Sequence, residues 1–483
     1  MVKYLKNIKI ERIGYGIGIT KSDDGKKILI KGALPGSIVD CVIKKNKKDY
    51  LEHITKVHEY DPKYIDGEIF CPHFFSNINP NLGDNSSIEK HKICGCKWQM
   101  ISYPKQIELK QEIVEDCFRK VKEKPSFLPI VASPKEKYRN KIEFSFVYMV
   151  AREIESKWNL FHKQEFSKII DVDSCLISDK ANSVFEYIKK LCFESGLSTY
   201  DQKFNRFFRH LVIREVNTKQ LMINLAVYPL DKKDEININN RENLKKIFKE
   251  DEFIKENITS FVITYNDGLA DIVRPNISTE NIIGDYIYEK LILDIGQEKV
   301  ESTFRISPFS FFQTNTHAEL LFQTAISNVL EVEIKKILDL YCGTGSIGIG
   351  FLKAGVNNLI GIEIVEEAIQ DANYNAEING IKDNCKFIAS PSEKVLSKNP
   401  EIENELTNIL VIVDPPRELH KNVVERISQL KEDNNFKLLY ISCNPSTMAR
   451  DIELFIEKFK VKSLQAVDMF PQTHHIETVG VLT

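Results

Sequence analysis

The stretch Lys336-Ile-Leu-Asp339-Leu-Tyr-Cys-Gly343-Thr-Gly345-Ser-Ile-Gly348 constrains the fold more than any other part of the chain. A short apolar strand runs into glycines at Gly-x-Gly-x-x-Gly spacing, and a helical pattern follows. Glycine permits the sharp turn from strand to helix and lets backbone amides approach a ligand at the helix N-terminus. The surroundings repeat the alternation. A helical pattern over 316–332 precedes this strand, and further apolar strands follow at 358–364, 409–414 and 437–443. Strand and helix in strict alternation predict an α/β fold with an open, doubly wound, mostly parallel sheet.

The rest of the chain reads differently. At 483 residues there is room for two to four domains. Residues 1–60 alternate in short runs broken by glycine, with Asp24-Gly25 as a hairpin signal, and predict four or five strands in a small β-barrel. This segment carries thirteen Lys/Arg against seven Asp/Glu, whereas the whole chain has a net charge of −3. Its densest run, Lys44, Lys45, Lys47 and Lys48, suits either a solvated loop or contact with nucleic-acid phosphates. Residues 104–123 show helical periodicity after Pro104, and residues 138–300 mix strands with helices. The expected division is therefore 1–60, 61–300 and 301–483. No run reaches the roughly 18 apolar residues of a membrane span, and the N-terminus lacks an apolar signal core, so a cytoplasmic, membrane-free protein is expected, with a monomer as the default because the sequence is silent on oligomeric state. Ten cysteines in so long a chain do not form a disulfide framework.

On its own the glycine turn suits two cofactors, a dinucleotide or a nucleoside-bearing methyl donor, and Glu363 could hold ribose hydroxyls in either case. Two later motifs favour the methyl donor. Asp414-Pro-Pro-Arg417 follows the apolar strand at the carboxyl edge where α/β ligands gather. Tyr440-Ile-Ser-Cys443-Asn-Pro-Ser-Thr then takes a cysteine from another strand end into a turn, which a dehydrogenase gives no reason for. Methylating carbon 5 of a pyrimidine needs a thiolate to add at carbon 6 and a base to remove the carbon 5 proton. Cys443 supplies the thiol, and Glu477, six residues from the C-terminus, supplies the base. Singly, a strand-end cysteine is more often a buried small hydrophobe, and a near-terminal glutamate is usually solvated. Together, after the glycine turn, they point to chemistry.

These motifs resemble the RNA uracil-5-methyltransferase family. The resemblance is carried by Phe311-Phe-Gln313-Thr-Asn315, Asp339-Leu-Tyr-Cys-Gly343, Gly361-Ile-Glu363, Asp414-Pro-Pro-Arg417, Ser442-Cys443-Asn-Pro445 and Asp468-Met-Phe-Pro followed by His475-Ile-Glu477. It implies a Rossmann-like, S-adenosylmethionine-dependent catalytic domain over 301–483. Gln313, Tyr341, Glu363 and Asp414 would bind the cofactor, Cys443 would attack carbon 6 and Glu477 would take the proton. Residues 1–60 are similar to the TRAM (OB-like) barrel of the rRNA-modifying branch. Tyr138-Arg-Asn-Lys141 and the segment from Arg209 to Arg214 would fall in a central α+β RNA-binding domain. By the same analogy the helix near 104–123 would pack on the catalytic domain. The implied substrate is RNA, 23S-type rRNA ahead of tRNA.

There are two departures from the family pattern. The glycine usual after Asp-Pro-Pro-Arg is replaced by Glu418-Leu-His420. Many relatives hold a 4Fe-4S cluster through Cys-x5-Cys-Gly-Gly-Cys and a distant cysteine. Here Cys71 lies 23 positions before Cys94, and Cys94-Gly-Cys96 is one residue short. Cys175 matches the distant ligand, so four thiols remain available, with structural thiols or a zinc site as the alternatives. Two rival functions are an RNA cytosine-5-methyltransferase and a catalytically silent RNA-binding protein. The first would carry a second cysteine where Arg417 stands, and the second would have no use for Cys443 and Glu477 together.

Overall fold

The computed structural model describes the chain apart from residues 1, 23–24, 46–49, 72–94, 149–157, 166–167, 172–173, 176, 199–206, 232–233, 269–272, 330–333, 399–408, 417–418, 434–435 and 456. Lys47, Lys48, Asp24, Cys94, Arg417 and Glu418 lie outside the described residues.

The glycine turn belongs to an eight-stranded sheet, ordered Cys385–Ala389, Asn358–Glu363, Lys336–Asp339, Ile409–Val413, Lys437–Ser442, Glu477–Leu482, Val461–Val467 and Ser126–Val131. The first five strands are parallel, and Glu477–Leu482 runs antiparallel to both its neighbours. Ile409–Val413 is buried at every position, as a central strand covered on both faces must be. Strand order reverses at Lys336–Asp339, whose successors lie on one side at Asn358–Glu363 and on the other at Ile409–Val413. A crevice opens over the carboxyl end of the strand at such a reversal.

Strand Ser126–Val131, which falls in the expected 61–300 segment, pairs in parallel with Val461–Val467 and forms the sheet edge. An edge position tolerates Pro129, whose ring removes a ladder donor. Helix Tyr103–Phe118 packs on the same side against strand Ser126–Val131 and helix Pro445–Phe455. Its buried Ile113, Val114 and Phe118 share a core with Ile13 and Leu34 of the N-terminal segment and with Leu438 and Met448.

The N-terminal residues form six strands, more than the four or five expected, in one sheet. The hairpin Ile17–Lys21 to Lys27–Lys31 is antiparallel, with Gly25 at φ +76°. Between the N-terminal and catalytic sheets in sequence lies a seven-stranded sheet that includes Lys141–Tyr148, Phe208–Glu215, Leu221–Val227 and Ser260–Tyr265. Among the described residues no helix is long and apolar enough to cross a membrane.

Candidate active site

Three parallel strands end together at the crevice, delivering Asp339, Glu363 and Asp414 to one edge. Beyond Asp339 the chain turns through Gly343 and Gly345, whose φ values of +53° and +80° lie in the left-handed region glycine favours. Gly348 lets the following helix approach the sheet, since a Cβ there would stand 2.7 Å from the Leu359 methyls. Glu363 braces the turn by accepting from the Gly343 amide at 3.2 Å and the Val365 amide at 2.9 Å.

Asp339 is buried, and neither of its carboxyl oxygens has a well-formed hydrogen-bond partner. Burial, then the nearby Asp414 and Glu363 carboxyls, push its pKa up to about 8 against a weaker opposing pull from the amides of Tyr341 and Gly348. Burial alone takes Asp414 up to about 7. Glu477 is driven well above the ordinary carboxylate range by burial and then by Asp414. Acids held this way by burial ionise more readily when a cation joins them. Tyr341, half-buried and near Glu363, is pushed up to about 12, chiefly by burial.

Cys443 occupies the turn after strand Lys437–Ser442. Asn444 caps the helix Pro445–Phe455 by accepting from the Ser446 amide at 3.0 Å, and Pro445 suits the first helical position. The Cys443 thiol faces the Asp-Pro-Pro segment, 3.7 Å from the Pro416 carbonyl oxygen. Ser442 pairs with Thr478 as the last rung of the antiparallel ladder, so Cys443, just after the one, and Glu477, just before the other, lie at the same end of it. An antiparallel strand thus begins where its parallel neighbours end, which brings a near-terminal glutamate to the carboxyl edge.

Gln313 is buried on a separate loop held by the central segment. Asn140 donates to the Gln313 carbonyl at 3.2 Å, and buried Arg214 donates to the Phe312 carbonyl at 2.6 Å. Asn315 donates to the Met469 carbonyl at 2.9 Å, which ties the loop to the C-terminal motif. Phe311 is 64% exposed although Phe312 beside it is buried. The C-terminal motif is anchored from below by helix Tyr103–Phe118. Lys110, fully buried, pairs with fully buried Asp468 and donates to the Phe470 carbonyl at 3.0 Å.

A family profile described as tRNA (Uracil-5-)-methyltransferase matches residues 102–483. An uncharacterized RNA methyltransferase of Caldanaerobacter subterraneus subsp. tengcongensis is 34% identical, with 98% of each chain covered. Another, of Bacteroides thetaiotaomicron, is 32% identical over 97% of this chain and 98% of its own. The chain belongs to the RNA (uracil-5-)-methyltransferase family. In fold this methyltransferase is similar to the crystal structure of Pyrococcus abyssi tRNA (uracil-54, C5)-methyltransferase in complex with S-adenosyl-L-homocysteine. The TM-score is 0.66 at 23% identity, over 99% of this chain and 100% of that one.

Of the cysteines read as cluster ligands, Cys71, Cys96 and Cys175 are described. Gln99 accepts from the Cys71 amide at 3.0 Å and donates to the Cys96 carbonyl at 3.4 Å, while the Tyr138 hydroxyl feels both Cys96 and Cys175. Among the described residues no three His, Cys, Asp or Glu side chains form a group that could hold a metal. Two features of this methyltransferase's site have no counterpart in the sequence reading. Asp339 lies buried at its strand end without a well-formed hydrogen bond to either carboxyl oxygen, and Tyr15 of the N-terminal sheet meets the Cys443 backbone. Asp339 could have been found from its place at the switch-point strand end. Nothing local marks Tyr15.

Proposed function

We propose that this methyltransferase places the methyl group of S-adenosylmethionine on carbon 5 of a uridine in RNA through a covalent adduct at Cys443. The observation that carries this reading is the convergence of Cys443 and Glu477 on the crevice edge occupied by Asp339 and Asp414. The unsatisfied carboxyl of Asp339 and the raised Asp414 fit a cationic ligand, and the glycine turn with Glu363 fits its nucleoside. Gln313 and Tyr341 would complete the binding set. Bound there, S-adenosylmethionine supplies an electrophilic methyl group.

The chain's own residues then act in order. Cys443, as thiolate, adds to carbon 6 of the uracil and makes carbon 5 an enolate nucleophile. Carbon 5 takes the methyl group and still bears its proton. The Glu477 carboxylate removes that proton, the carbon 6–sulfur bond breaks, and the thiolate returns. Glu477 finally gives its proton to solvent. The target base must leave its stack to reach Cys443, and exposed Phe311 offers a ring on which an RNA base can stack.

Large-subunit rRNA is the favoured substrate over tRNA, on the strength of the basic, barrel-like N-terminal segment over residues 1–60. Residues 61–300 would carry the central RNA contacts and residues 301–483 the catalysis. A 4Fe-4S cluster on Cys71, Cys94, Cys96 and Cys175 would order the region around Tyr138 and take no part in the reaction. Its check is iron content, with roughly four irons per chain expected after anaerobic purification and a colourless, iron-free, fully active protein excluding it. The function is tested by mapping 5-methyluridine in rRNA and tRNA from cells lacking the protein. Loss at one rRNA uridine is expected, and an unchanged methylation map would refute the reading.

A further inference from the structure

The N-terminal sheet reaches into the catalytic edge through the turn that contains Tyr15 and Gly16. The Tyr15 hydroxyl donates to the Cys443 carbonyl oxygen at 2.6 Å and lies 3.0 Å from Nδ1 of His475. A phenol has one proton to give. With that proton directed at the Cys443 carbonyl, the oxygen accepts from His475, which must then carry its hydrogen on Nδ1. A chain results in which His475 donates to Tyr15 and Tyr15 donates to the backbone of Cys443.

Packing fixes this chain in place. The Tyr15 ring meets the His474 and His475 rings edge-on at 5.4 and 6.0 Å. Gly16, at φ +68°, sits so close that a Cβ would stand 2.4 Å from the His474 ring. Burial holds His475 neutral, with its pKa pushed down to about 4 and the nearby Lys110, Arg139 and Lys97 adding to the effect. A neutral imidazole with one donor nitrogen is the form this arrangement requires. Burial first, then the nearby Cys443, Glu477 and Cys117, raise the Tyr15 phenol well above its ordinary range, so it stays a donor.

We propose that Tyr15, supplied by the N-terminal sheet, is a positioning residue for methyl transfer: its hydroxyl clamps the Cys443 turn to His475 and so aims the thiol at carbon 6. His475 stands two residues before Glu477, so one hydroxyl ties the nucleophile's backbone to the segment that bears the base. On this account the N-terminal sheet completes the active site as well as contacting RNA. The proposal rests on Cys443 being the nucleophile.

The test uses the full-length protein, saturating S-adenosylmethionine, substrate RNA and its 5-fluorouridine form. Tyr15→Phe keeps the ring packing and removes one hydroxyl. A fall of about tenfold or more is expected in both kcat and the rate of adduct formation, with the RNA KM and melting temperature little changed. A rise in the RNA KM with kcat intact would make Tyr15 an RNA contact and overturn the proposal, as would wild-type kinetics. A second pair reads the same chain should Tyr15→Phe fail to fold. His475→Asn retains a donor near Nδ1 and should keep most of the rate, whereas His475→Leu should lose it as Tyr15→Phe does. Equal loss in both overturns the clamp. If the wild-type protein forms no adduct while methylating RNA, the Cys443 reading fails and takes this one with it. Normal adduct in both wild type and Tyr15→Phe removes Tyr15 alone.

Discussion

The Glu477 carboxyl feels the Asp414 carboxyl, and the two resist ionising together within one crevice. With Asp339 raised to about 8 and Asp414 to about 7, both favour the protonated form more than ordinary carboxyls do, a preference that a bound cation would oppose. Groups with raised folded-state values add stability below their unfolded pKa of about 4 and lose that contribution as pH climbs through 7 to 8. The ligand-free protein should therefore melt lower as pH rises across this window. S-adenosylmethionine should bind more tightly over the same window, by up to about tenfold per pH unit for each proton released. Calorimetry in buffers of different ionisation enthalpy checks both, and pH-independent affinity without proton release would contradict the cation-site reading.

Glu477→Gln should preserve adduct formation and methyl transfer but stall release. Turnover should drop by about a hundredfold or more, and a denaturation-resistant complex should accumulate with ordinary RNA. Gel analysis of protein incubated with unmodified RNA reads this directly. Normal turnover with no trapped species would assign the proton to another group.

Phe311→Ala should weaken RNA binding by about tenfold, in line with roughly 1–3 kcal/mol for a base stacked on an aromatic ring. S-adenosylmethionine affinity should stay unchanged, because Phe311 faces solvent. Filter binding and calorimetry separate the two, and equal weakening of both would place Phe311 in the cofactor pocket.

Lys110→Ala leaves Asp468 buried without its cation, at a cost of about 3–5 kcal/mol. The melting temperature of the full chain should fall and methyl transfer should suffer, since the pair anchors the motif that carries His475 and Glu477. An unchanged melting temperature would show that water reaches the pair and screens it.

The parts legible in the sequence were those with local signals. The strand 409–413 announces itself by five consecutive branched or long aliphatics, and the glycine turn by spacing. Cys443 and Glu477 were singled out through chemistry, since the proposed adduct mechanism requires both. What stayed hidden depends on distant pairing. Strand Ser126–Val131 contains Pro129 and alternates poorly, and its partner strand lies more than 300 residues away. Lys110 looks like an ordinary surface lysine on an amphipathic helix until Asp468 is brought beneath it. Tyr15 sits between two glycines, where the turn explains the sequence without reference to a site 428 residues away.

The most direct test of the central claim is covalent trapping on 5-fluorouridine RNA, because fluorine cannot leave carbon 5 as a proton does. The wild-type protein should form one denaturation-resistant adduct per chain in the presence of S-adenosylmethionine, and peptide mapping should locate it at Cys443. Cys443→Ala should form none while still binding S-adenosylmethionine with near-normal affinity. An adduct that persists in Cys443→Ala, or that maps to another residue, would contradict the account.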